Sequence, residues 1–201
     1  MATIRAPRFS DTPAVYRICF ETGPDAGDAA ATPELLGHVY AGPYLAAVPE
    51  WCRVVVDEQG VAGYLLAAPD TEAFERWAAA EWYPPLAAEH PVDEAGSPAD
   101  RRIAAVFAAP PRTPGVLLGQ YPAHLHIDFL LRARGAGHAR ALIDDLVDRL
   151  GAAGVPGVHL GVSPRNTNAI GLYAHLGFTE LERHDDVVWM GRSTGAADDG
   201  L

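Results

Sequence analysis

Residues 130–140 read Leu-Leu-Arg-Ala-Arg-Gly-Ala-Gly-His-Ala-Arg, and this run decides how the chain is organised. The alternating segment Ala123 to Leu131 leads into it as a strand. An amphipathic helix follows to Leu150, with Leu142, Ile143, Leu146, Val147 and Leu150 spaced to face inward. A glycine turn between strand and helix lets the backbone approach a ligand and aims free N–H groups at it. The helix dipole adds partial positive charge, which makes a candidate diphosphate site with Arg132 and Arg134 as supplements. A dinucleotide fingerprint would need a third glycine where Arg140 stands. The form present is R-x-x-G-x-A, carried by Arg134, Gly137 and Ala139.

Upstream, Thr3 to Arg5 reads as a strand, and Asp11 caps a helix through about Thr22 with Val15, Ile18 and Cys19 on one face. Residues 23–31 form a loop. Thr32-Pro33-Glu34 opens a second helix whose stripe is Leu35, Leu36, Val39 and Tyr40. Arg53 to Val56 and Val61 to Leu66 make a hairpin around Asp57-Glu58-Gln59-Gly60, and Asp70 caps a helix to about Trp82. The proline-rich stretch 84–122, with a short helix at Ala99 to Ala108, is too long for a plain connection and reads as a lid or pocket wall. Downstream come the strand Val158 to Val162, a helix from Thr167 to Leu176 stopped by Gly177, and the strand Val187 to Met190. This order predicts an α/β (α+β) domain over 1–192, a mixed sheet covered by helices, with 193–201 as a disordered tail.

The 201 residues carry 15 basic and 26 acidic side chains, a net charge of −11, and every base is an arginine. The absence of lysine excludes Walker-type phosphate loops and Schiff-base enzymes. The acidic balance argues against nucleic acid or an anionic membrane as partner. Cys19 and Cys52 show no CxxC pairing and read as core thiols in a reducing compartment. There is no apolar run of membrane-spanning length and no signal-peptide core near the start, so a cytoplasmic location is expected.

A second motif lies at 166–178, where Asn166, Ala169, Tyr173 and Gly177-Phe178 have the spacing N-x-x-A-x-x-x-Y-x-x-x-G-F. In that order, one helix and one strand apart, the two motifs resemble the GNAT superfamily of N-acetyltransferases. Three further runs, Tyr40-Ala-Gly-Pro-Tyr44, Gly63-Tyr64 to Asp70-Thr71 and Glu81-Trp82-Tyr83-Pro84, together with Gly161 to Thr167, are similar to bacterial acetyltransferases akin to the C-terminal acetyltransferase-like domain of O-GlcNAcase. The resemblance implies a GNAT fold splayed between two central parallel strands, with acetyl-coenzyme A in the splay. It implies cofactor contacts from Phe129, Leu130, Leu131, Arg132, Arg134, Gly135, Ala136, Gly137, His138, Ala139, Asn166 and Tyr173. The Leu130 N–H becomes the candidate donor to the thioester carbonyl, and Tyr173 the proton donor to the leaving thiolate.

Acetyl transfer to an amine also needs a proton acceptor. His124, His126 and Asp128 alternate along one strand and share a face, which makes each a candidate, with Asp128 also able to hold the substrate. Tyr44, Trp82, Tyr83 and the insertion would wall the acceptor pocket. The expected function is acetyl transfer to a primary amine of a small molecule by direct attack in a ternary complex; a homodimer is left open. Two alternatives are a non-catalytic coenzyme A-binding module and a metal hydrolase. The latter rests on His124-x-His126-x-Asp128, which matches the start of an HxHxDH motif but has Phe129 in place of its last histidine. No metal is expected.

Overall fold

The computed structural model describes residues 2–24, 26, 31–94 and 96–195; most of the loop read at 23–31 and the tail from 196 onward lie outside them. Among the described residues, β1 (Thr3–Arg5) pairs antiparallel with β2 (Arg53–Asp57), and β2 with β3 (Gly60–Ala68). The hairpin closes where its turn residues require: Gly60 takes φ +103° and Asp57 Oδ1 accepts the Gln59 N–H at 2.8 Å. β3 pairs antiparallel with β4 (Ala123–Phe129), β4 pairs parallel with β5 (Gly157–Val162), and β6 (Thr179–Arg183) and β7 (Val188–Ser193) complete the order β1-β2-β3-β4-β5-β7-β6.

β3 is apolar throughout because both its faces are covered. Tyr64, Leu66 and Ala68 join the core beneath α1 (Thr12–Thr22) and α2 (Pro33–Tyr40), whereas Leu65 and Ala67 join the opposite core. The first core also takes Tyr44 from α3 (Gly42–Ala47) and Phe74 from α4 (Thr71–Trp77). After a π-helical turn, Ala78–Trp82, come α5 (Tyr83–Glu89), α6 (Pro98–Ala108) and the short α7 (Gly115–Leu118). The second core is filled by α8 (His138–Ala152), whose five predicted inward residues are all buried, and by Leu176 and Phe178 after α9 (Thr167–His175).

Several boundaries differ from expectation. The helix expected at Ala99 to Ala108 is α6, but the stretch 84–122 also holds most of α5 and all of α7, because Pro84 and Pro85 fall in the first turn of α5, where no intrahelical N–H is needed. Asp11 does not cap α1: its carboxylate takes two bonds from Arg5, at 2.6 and 2.9 Å, and one from the Arg8 N–H at 2.7 Å, tying β1 to the helix start. Tyr40 is 39% exposed rather than part of the α2 stripe. β4 stops at Phe129 instead of Leu131, and β7 runs through Ser193, three residues beyond its expected end. β6 has no counterpart in the sequence expectation, since Thr-Glu-Leu-Glu-Arg offers one apolar residue to a sheet edge.

Candidate active site

The parallel ladder between β4 and β5 is short. It joins Ala123 to Val158 and His124 to His159 and goes no further, so the strands part towards the end of β4 that carries His126, Asp128 and Phe129. Leu130 donates its N–H to the Ala62 carbonyl at 2.9 Å, which corrects its assignment as the thioester donor. Backbone groups alternate sides along an antiparallel ladder, so if Leu130 faces β3, the N–H groups of Ile127 and Phe129 turn towards β5 and the opening. They are the donors suited to a carbonyl in the splay.

A cavity of about 690 Å³ fills this opening. Its walls are Ile127 to Phe129, Arg134, Gly135, Gly137, His138 and Ala139 on one side, and Asn166, Ala169 and Tyr173 on the other. Gly135 and Gly137 hold φ of +77° and +79°, a conformation glycine adopts freely, and a Cβ on either would meet nothing within 4 Å. α8 starts immediately after Gly137 with no side chain capping it, which leaves its first N–H groups for a ligand. These features fit the diphosphate and pantetheine of coenzyme A: bare backbone donors at a helix N-terminus, then a slot with unpaired strand edges.

Not every predicted contact falls here. Arg132 donates to Asp57 at 2.7 Å and to the Val61 carbonyl at 3.1 Å, so it braces the β2–β3 turn. Leu131 is 80% exposed, and neither it nor Leu130, Arg132 or Ala136 lines the cavity. Arg134 does, with its Nε on the Phe129 carbonyl at 3.0 Å. The Asn166 Oδ1 accepts the Ala169 N–H at 3.1 Å and caps α9. Sequence reasoning missed Thr22, Ser163 and Asn168, which also line the cavity; Thr22 belongs to no motif, and Ser163 and Asn168 lie within the quoted runs without having been singled out.

A second cavity of about 310 Å³ adjoins the first through the splay, and Leu125, His126 and Leu160 to Ser163 line both. It is walled by aromatic rings, Tyr40, Tyr44, Phe74, Tyr83 and Trp189, and by Val106, Pro110, Pro111 and Thr113 from the stretch 84–122. Its one carboxylate is Glu75, whose Oε1 takes the N–H and hydroxyl of Thr113 at 2.9 and 2.7 Å. Trp82 is not part of it: its indole N–H bonds the His38 carbonyl at 2.8 Å and it packs away from the cavity.

His124, His126 and Asp128 do share one face of β4, but their surroundings differ. His124 is engaged at both nitrogens, and burial holds it well below the usual imidazole range, helped by His126 and His159. Burial, then His159, lowers His126 to about 4. Asp128 accepts the Tyr64 hydroxyl at 2.7 Å, and burial raises its carboxyl above the ordinary value. Burial, then the nearby Asp128, raises the Tyr173 phenol, so it stays protonated. Among the described residues no group of three or more His, Cys, Asp or Glu is placed to hold a metal ion.

Parted parallel strands beside a glycine turn and an open helix N-terminus define the class: an acyltransferase drawing on an acyl-coenzyme A. The model of the Acetyltransferase (GNAT) family matches residues 99–178. The crystal structure of SsHAT matches with a TM-score of 0.84 at 33% identity, over 96% of this chain and 98% of that one. The chain belongs to the GNAT acetyltransferase family. Protein O-GlcNAcase of Rattus norvegicus is 26% identical over 200 residues, which span 95% of this chain but only 22% of that protein. A GNAT superfamily phosphinothricin acetyltransferase from Sinorhizobium meliloti, solved in complex with AcCoA, shares the fold at a TM-score of 0.59 and 17% identity, over 100% of this chain and 92% of that one.

Proposed function

We propose that this protein transfers the acetyl group of acetyl-coenzyme A to the primary amine of a small, largely apolar molecule, by direct attack with both substrates bound. The observation that carries it is the meeting of two cavities at the splay, one lined by backbone donors and the other by aromatic rings. Gly135, Gly137 and the first turn of α8 would hold the diphosphate, and Phe129, Asn166 and Ala169 the pantetheine. When bound, acetyl-coenzyme A supplies an activated acetyl carbon at the strand opening.

The chain's own groups then have separate tasks. The N–H groups of Ile127 and Phe129 orient and polarise a carbonyl oxygen. Tyr173 gives a proton to the leaving sulfur, which its raised phenol pKa allows. Tyr44, Phe74 and Tyr83 exclude water around the amine, and Glu75 is placed to meet a polar group on the acceptor. A reducing, cytoplasmic setting suits Cys19 and Cys52, which are free and buried.

Thermal-shift titration tests the first half. A ligand that binds only the folded state at 100 times its Kd adds about 2.7 kcal/mol, so acetyl-coenzyme A must raise the melting temperature, and no rise at millimolar ligand overturns the assignment. Release of free thiol across a panel of amines tests the second half. Binding without turnover of any amine would make the protein a coenzyme A-binding module.

A further inference from the structure

Beneath the acceptor cavity a carbonyl and four side chains form one chain of hydrogen bonds. The Pro122 carbonyl accepts the Thr71 N–H at 2.8 Å and the Thr71 hydroxyl at 2.6 Å. Thr71 Oγ1 is also 2.8 Å from His124 Nδ1, and His124 Nε2 is 2.7 Å from the Tyr44 hydroxyl. That same hydroxyl is 3.0 Å from His126 Nε2.

The direction of this chain is forced from its fixed end. A carbonyl only accepts, and a hydroxyl has one proton. The Thr71 proton points at Pro122, so Thr71 Oγ1 must accept from His124 Nδ1–H. A neutral His124 then has a bare Nε2, which accepts the Tyr44 proton. Tyr44 has no proton left, so its oxygen accepts from His126 Nε2–H, and a neutral His126 is bare at Nδ1. The reverse direction would leave two acceptors facing each other between Thr71 and Pro122, or a doubly protonated imidazole in the interior.

His126 is also the best placed of the three candidates. It lines both cavities where they meet, and among the described residues its ring is hydrogen-bonded at Nε2, to Tyr44, and not at Nδ1. His124 lines only the acceptor cavity and has both nitrogens engaged. Asp128 lines only the cofactor cavity and is held by Tyr64. We infer that His126 Nδ1 is the proton acceptor for the attacking amine, and that Thr71, His124 and Tyr44 are positioning residues that fix its tautomer.

This rests on the acetyl-transfer proposal above, and its step balances. The amine nitrogen forms the C–N bond, the C–S bond breaks with its pair on sulfur, the amine proton goes to His126 Nδ1, and sulfur takes the Tyr173 proton. Solvent then returns a proton from the imidazolium to the phenolate.

The titratable groups around His126 are Tyr40 from α2, Tyr44 from α3, Glu75 from α4, His124 and Asp128 on its own strand, and His159 from β5. An imidazole at about 4 lies roughly six units below an alkylammonium, about a million-fold against direct proton removal. His126 therefore serves an amine that arrives neutral and turns acidic as the C–N bond forms. With walls of Tyr40, Phe74, Tyr83 and Trp189, the favoured acceptor is a weakly basic aromatic amine.

Long-range ¹H–¹⁵N spectra of histidine-labelled protein at neutral pH test the relay without turnover. Opposite tautomers are expected, with His124 protonated on Nδ1 and His126 on Nε2, assigned by the signals lost in His126→Gln; a proton on His126 Nδ1 overturns the inference. With aromatic amines, His126→Gln should lose about 100-fold in kcat while keeping the acetyl-coenzyme A thermal shift. Tyr44→Phe and Thr71→Val should each lose about tenfold in kcat with little change in KM, and Thr71→Ser should restore the rate. Turnover that survives His126→Gln overturns the role of His126 alone. A wild type that binds acetyl-coenzyme A yet acetylates no amine overturns the transfer reaction and that role with it.

Discussion

His124 on β4 and His159 on β5 are the last residues paired across the two central strands, with ring centroids 5.8 Å apart. His159 is locked there by its Nδ1–H, which donates to the Tyr121 carbonyl at 2.7 Å. The pair works as the hinge-side end of the splay, and the passage between the two cavities begins just beyond it at Leu160 and Gly161. A Cβ at Gly161 would come within 3.0 Å of Val187 Cγ2 and 3.2 Å of Trp189 Cζ3. Gly161→Val should therefore narrow the passage and cut amine turnover by about tenfold or more with an intact fold. Steady-state kinetics beside a melting curve will check it; unchanged kinetics would remove Gly161 from the passage.

Gly137 should be sensitive for a different reason. Its φ of +79° costs an L-residue about 1 kcal/mol or more, although a side chain there meets no atom. Gly137→Ala is expected to shift the start of α8 and to weaken acetyl-coenzyme A binding about tenfold in the thermal-shift titration. Gly137→Asn, which tolerates the left-handed region better, should recover part of the loss.

Tyr173 makes no side-chain hydrogen bond among the described residues, yet it faces the cofactor cavity and packs on Phe178 with centroids 5.7 Å apart. Removing its hydroxyl leaves no partner unsatisfied. Tyr173→Phe should hold stability within about 0.5 kcal/mol while kcat falls by about 100-fold. Equal losses of stability and rate would make the tyrosine a packing residue.

The histidines on β4 set an acid limit. With a folded pKa of about 4 against an ordinary 6.5, His126 takes its proton later in the folded chain than in the unfolded one. Its contribution to stability is complete above about pH 6.5 and is lost as the pH falls towards 4, some 2 kcal/mol between about pH 7 and pH 5. His124 acts in the same direction, while Asp128, raised by burial, opposes them. Melting temperature against pH should fall through this window, and His126→Gln should flatten the curve; an identical acid limb in the variant contradicts the assignment.

Much of this was legible from residue types and spacing. Five inward residues of α8 could be listed because a 3.6-residue period survives any packing detail, and β3 could be seen because Val61 to Leu66 is apolar throughout. The glycine turn and Asn166–Phe178 pointed to the cavity at the splay, since backbone geometry there demands particular residues. The acceptor half was harder. The prolines that begin α5 read as loop, although the helix at Ala99 to Ala108 was expected, and Trp82 looked like Tyr83 although only one faces the cavity. Leu130 was misassigned because a two-residue alternation does not say which neighbour a strand's N–H will meet. Thr71 stood in a quoted run, yet its hydrogen bonding could not be read there, because it depends on Pro122, 51 positions away in sequence.

Pro122 is where the stretch 84–122 ends, and its carbonyl is where the hydrogen-bond chain to His126 begins. The segment that gives Val106, Pro110, Pro111 and Thr113 to the wall of the second cavity thus ends on a main-chain acceptor, which anchors the proposed relay whatever side chain stands at that position. Because every residue carries a main-chain carbonyl, exchanging this stretch would change the Val106, Pro110, Pro111 and Thr113 side of the wall and leave the direction of the hydrogen-bond chain as it is.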